Sequence, residues 1–105
     1  MDISILPKHL QEQAVILSEE PAWLKVDAQE VIKFLSEKEY AVLGVEIWLA
    51  IGSVPKVVGW SEYDIKNSGN WKEYVKQNAE NALETLEKMP DTDVLYNLIW
   101  INEKD

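Results

Sequence analysis

Apolar positions along this chain fall into blocks of helical and strand periodicity. In residues 7–20, Leu10, Ala14 and Leu17 share one helical face, which Val15 and Ile16 widen. Pro7 suits a first helical turn and Pro21 a stop, so the spacing predicts a first helix over 7–20. Residues 22–26 read as a short connection in which Trp23 plugs the core. From Asp27 onward, Ala28, Val31, Ile32 and Leu35 recur at helical spacing with Phe34 beside them. Asp27 and Glu30 make a capping-box pattern that opens this second helix, and the polar run 36–39 ends it.

The period then changes to two. Residues 40–51 and 54–62 read as strands joined at Gly52 and Ser53. In the first strand Leu43, Val45, Ile47, Leu49 and Ile51 form one parity, an aliphatic wall suited to a core. The other parity is Val42, Gly44, Glu46, Trp48 and Ala50, an unusual mixture for a sheet surface. In the second strand Pro55 belongs at a start or an edge, and Gly59 marks a bulge or a close backbone approach. Trp60 and Glu62 share a parity there with Val58. Residues 64–69 are rich in turn formers. Asn70 caps a third helix with Glu73 as its box partner, and Trp71, Val75, Ala79, Ala82, Leu86 and Met89 trace its stripe as far as Pro90. Residues 91–93 form a turn, 94–102 a last strand and 103–105 a charged tail. Both faces of that strand are apolar, so its core side stays open.

The element order ααββαβ implies an α+β fold. The expected sheet has three strands in the order second, first, last. Its first strand is central, and helices pack mainly on one face. With 105 residues the chain is expected to be a single domain over 1–105.

Composition narrows the chemistry. The chain has no cysteine, which excludes disulfides, thiol nucleophiles and Cys-ligated zinc. The single histidine, His9, reads as an exposed helix residue and cannot build a multi-histidine metal site. No apolar run approaches the roughly 20 residues of a membrane span, and the start lacks the pattern of a signal peptide. A cytoplasmic location is the expectation. Ten lysines face nineteen acids for a net charge of −9, with the excess in the two flanking helical parts. Such a chain repels nucleic acid and is attracted to basic surfaces.

Glu46 admits three readings: an ordinary strand carboxylate, a binding carboxylate framed by Trp48, or a general acid or base. The last normally needs a second titratable partner, and no spacing points to one. Trp23 and Trp71 read as core. Trp48, Trp60 and Trp100 lie on strands, where core and exposed anchor remain equally open; several exposed together would mark a partner surface. Asp91 and Asp93 lack the glycine and distal glutamate of a calcium loop. No phosphate-binding or hydrolase spacing occurs. Neither an enzyme nor a cofactor is expected.

Four segments together carry a family pattern: the amphipathic helix 28–35, AVLGVEIW at 41–48, VVGW at 57–60, and W-x-x-YV at Trp71, Tyr74 and Val75. In this order they resemble the immunity protein 40 family of bacterial polymorphic toxin systems, over about half the chain. The family's Gly-x-acid motif is matched by Gly44 and Glu46, although Val45 stands where a second glycine is commoner. The resemblance implies a non-enzymatic antitoxin that binds a cognate toxin domain and occludes its active site or substrate path. Gly44, Glu46, Trp48, Trp60, Trp71 and Tyr74 fall on the motif, and Glu62 joins them as a candidate contact. The acidic balance would suit a basic toxin domain. The rival expectations are a generic interaction module without a toxin, and a small-ligand site beside Glu46. Monomer and homodimer both remain open. A central first strand would partly bury the mixed face, which makes the acidic helices and loop edges equal candidates for the binding surface.

Overall fold

A computed structural model of the chain describes residues 1–51, 54–63 and 70–104. The expected turn at Gly52 and Ser53, the loop 64–69 and the last residue of the tail lie outside the described residues. So do the side chains of Ala50 and Ile51, to which the alternation assigned faces.

The chain begins with a 3-10 turn, Ile3–Ile5, and a short helix α1, Lys8–Gln13. Here the structure departs from the expected helix over 7–20. Residues beyond α1 form a hairpin instead, β1 (Val15–Leu17) and β2 (Glu20–Ala22), paired in antiparallel register. Ser18 and Glu19 form its two-residue loop with φ of 51° and 68°. Both are left-handed, as a hairpin turn matching the right-handed twist of its strands requires. Val15 and Ile16 are β-branched and favour the extended state. Leu17 and Ala22 gain burial against the sheet, and this tertiary reward overrides the helical spacing.

Helix α2, Lys25–Glu37, buries Ala28, Val31, Ile32 and Leu35 as expected. It starts two residues before Asp27, with Leu24 at the cap position, so the expected box does not form. Asp27 sits instead in the first turn, where its charge complements the helix dipole. Glu30 meets exposed His9 of α1. The helix ends in a Schellman turn: Tyr40 N–H donates to the Leu35 carbonyl at 2.8 Å and Glu39 N–H to the Ser36 carbonyl at 3.1 Å. Glu39 takes the left-handed position, with φ of 63°.

The main sheet comprises β3 (Ala41–Ile51), β4 (Val54–Glu62) and β5 (Leu95–Ile101) in the order β4-β3-β5, so β3 is central. Both pairings are antiparallel. Helix α3, Trp71–Glu87, links β4 to β5 across β3. Asn70 caps it, accepting from Lys72 N–H at 2.9 Å and Glu73 N–H at 3.4 Å. Lys25 closes its other end by donating to the Met89 carbonyl at 2.9 Å.

Two bulges decide which side chains reach the core. Against β5 the register shifts between Val42 and Gly44, making Leu43 the extra residue; against β4 it shifts between Ile47 and Trp48, making Val58 the extra one beside Gly59. The expected wall of one parity is therefore broken. Val42, from the opposite parity, joins Val45 on the helix-covered face, where Tyr96, Leu98 and Trp100 meet α2 and α3. Trp23 is fully buried there, and its Nε1 donates to the Leu10 carbonyl at 2.9 Å. Trp71 departs from its expected core role. It is only half-buried, and its Nε1 donates to the Glu39 carbonyl at 2.8 Å, clasping the start of α3 to the end of α2.

Candidate partner-binding surface

The face of the sheet turned away from the helices carries Gly44, Glu46 and Trp48 from β3. Glu62, Trp60 and Val57 lie across from them on β4, and Ile99, Asn97 and Leu95 on β5. The β1–β2 hairpin covers one end of it. Leu17 and Ala22 pack with Trp48 and Leu95, and Asn97 Nδ2 donates to the Pro21 carbonyl at 2.7 Å. Trp23 and Tyr96 exchange backbone hydrogen bonds of 2.7 and 3.0 Å, which fixes the hairpin's base to the outer edge of β5.

The other end is open. Trp60 is 69% exposed, and Val57, Val58 and Ile99 are exposed around it. A hollow of about 360 Å3 lies at Gly44. Its walls include Glu46, Trp60, Glu62 and Ile99, which are the neighbours of Gly44 on this face. Tyr74 of α3 also lines it. Gly44 lines the hollow, and its missing side chain lets the β4 backbone come close. A Cβ there would stand 2.9 Å from the Ser61 carbonyl oxygen, so β3 and β4 could not approach as they do. Among the described residues, Glu46 and Glu62 are the only charged side chains along its walls. Tyr63, also a wall residue, donates from its hydroxyl to Thr85 Oγ1 at 2.6 Å. Burial pushes that phenol above the usual tyrosine range, so it stays a neutral donor at physiological pH.

Five of the seven candidate residues thus come together: Gly44, Glu46, Trp60, Glu62 and Tyr74. Trp48 and Trp71 stand apart, and each supports one of the five. Trp48 is buried under the hairpin, and its Nε1 donates to Glu46 Oε1 at 3.0 Å, which ties the carboxylate to the covered indole. Trp71 packs on Tyr74 with ring centroids 5.4 Å apart. Ile99 and Asn97 belong to this face and were not singled out by sequence. Asn97 was the available signal, since one amide in an apolar strand marks the side that needs a polar partner.

Among the described residues, no three His, Asp or Glu side chains gather as a metal site, and no helix is long and apolar enough to cross a membrane. Comparisons with protein-family models, with curated proteins and with solved structures return no match.

Proposed function

We propose that this chain is a protein-binding module that acts as an immunity protein, occluding a cognate toxin domain in the cytoplasm of the cell that makes both. The observation that carries the binding reading is the exposure of Trp60 beside Glu46 and Glu62. Full burial of a large apolar side chain is worth about 1.5–3 kcal/mol, which an indole kept in water largely forgoes. Tryptophan is also among the residues most enriched at interface hot spots. The net charge of −9 and the two carboxylates favour a basic partner and faster encounter at low salt. The toxin-neutralising role comes from the family resemblance of the motif residues.

Co-expression tests this reading. The chain should protect cells from the toxin domain encoded beside it, and Trp60→Ala should remove the protection while leaving the chain folded. Equal killing with and without the wild-type chain would refute the immunity role. The hollow beside Glu46 favours one second reading, a small-ligand site, because its volume falls at the lower end of the roughly 300–1,000 Å3 of such pockets. A small ligand would raise the unfolding temperature by mass action. A metabolite screen that leaves that temperature unchanged removes this alternative.

A further inference from the structure

The geometry points to the form of the partner: we propose that an extended basic segment adds as a strand to the free edge of β4 and lays a Lys or Arg side chain into the hollow at Gly44. This rests on the protein-binding reading above.

The backbone supplies the first ground. Tyr63 N–H donates to the Leu43 carbonyl at 2.9 Å, so these two form a hydrogen-bonded antiparallel pair. Such pairs alternate with non-bonded ones. Val45–Ser61 and Ile47–Gly59 are then bonded pairs, while Gly44–Glu62 and Glu46–Trp60 are not. The N–H and C=O groups of Trp60 and Glu62 therefore point away from β3. Among the described residues no other strand lies on that side, since β4 is the edge of the sheet. Edge strands are usually guarded by proline, lysine or a bulge. In β4 those guards, Pro55, Lys56 and the bulge at Val58, all precede Trp60. The stretch Trp60 to Glu62 is left able to pair.

The side chains supply the second ground. A residue placed opposite Trp60 or Glu62 on an added strand points to the same face as they do. The hollow lies toward β3, one further strand spacing of about 4.8 Å inward. Only long side chains reach that far, and Lys and Arg have the methylene stems to do so. Their heads would meet the carboxylates of Glu46 and Glu62 and the face of Trp60, giving charge-assisted hydrogen bonds and a cation–π contact. No described lysine of this chain lines the hollow to compete. The same carboxylates, on two chains each carrying −9, oppose pairing of this edge with a second copy.

The test is a display library of short extended peptides panned on the wild-type chain and on Trp60→Ala. Enriched peptides should carry Arg or Lys at alternate positions and lose binding to Trp60→Ala. Their affinity should fall by about tenfold or more on the paired changes Glu46→Gln and Glu62→Gln, the worth of a charge-assisted hydrogen bond. N-methylation of the peptide amides that would face β4 should abolish binding, because it removes the strand hydrogen bonds. Acidic or uncharged consensus sequences, indifference to N-methylation, or no enrichment at all would overturn the proposal. So would light scattering that shows a dimer dissolved by Trp60→Ala, which would make the occupant a second copy. Protection from toxin that needs Trp60 while the peptides fail would reject the strand-addition geometry and leave the binding reading standing.

Discussion

Trp48 and Trp60 flank the same carboxylate on the same face of one sheet, yet their environments are opposite. Trp48 stands two residues along β3 from Glu46 and is 3% exposed, whereas Trp60 stands across from Glu46 on β4 and is 69% exposed. Neither strand parity nor residue type separates them. What separates them is cover: the β1–β2 hairpin reaches Trp48, Leu95 and Asn97 and stops there. One half of the face is thus a small second core. The other half is a surface of core-like composition, with an indole, an isoleucine and a valine, and nothing among the described residues over it. Glu46 sits on the boundary. Its carboxylate is held by the buried indole, and its register partner on β4 is the exposed one, so a group anchored in the covered half borders the open half.

The widest contrast should come from truncating the two indoles. Trp48→Ala removes a buried ring from between the hairpin and the sheet and should cost about 3–5 kcal/mol. Trp60→Ala should change stability by no more than about 0.5 kcal/mol, because little packing is lost at the surface. Urea titration of the two variants measures both. Equal losses would mean that the two halves are not different environments, and the division drawn above would fail. A smaller effect is expected at Asn97. Asn97→Ala leaves the buried Pro21 carbonyl without its donor, at a cost of about 1–3 kcal/mol. Amide exchange should quicken first across β1 and β2 and at Trp23. Unchanged exchange there would show that the hairpin is held by its apolar side chains alone.

Much of the frame was legible from residue order. The alternation from 40 to 62, the Asn70 cap and the stripe of α3 each carried a strong local signal, and the strand order followed from connectivity. The hairpin was not legible. Leu10, Ala14 and Leu17 satisfy a helical stripe, and the turn Ser18-Glu19 lacks the Asn-Gly or Asp-Gly signature of a tight hairpin. The decision is made by Trp48 and Leu95, residues far along the chain that local pattern does not see. The bulge at Leu43 was hidden for the same kind of reason: it is set by pairing with β5, and it brings Val42 and Val45 to one face where a regular strand would separate them. At the candidate site, five of the seven residues singled out line one hollow, while Trp48 and Trp71 lie outside it. Which of them are exposed depended on the hairpin, and so could not be read without it.

The smallest expected effect tests the cover directly. Ser18 and Glu19 hold left-handed backbone, φ 51° and 68°, without being the residues that adopt it most readily. Replacing them together, Ser18→Asn with Glu19→Gly, supplies the pair preferred in this turn. Relief of strain should exceed the added freedom of glycine in the unfolded chain, for a net gain of about 0.5 kcal/mol. Where that gain shows is informative. If the hairpin unfolds together with the sheet, the urea midpoint should rise. If the hairpin opens separately, only its own amide exchange should slow, and the midpoint should stay put. A joint rise would make the covered half of the face part of the main cooperative unit, with the Trp48–Glu46 hydrogen bond inside it. A fall in stability would mean that the left-handed turn is not what holds β1 to β2, and the cover over Trp48 would need another cause.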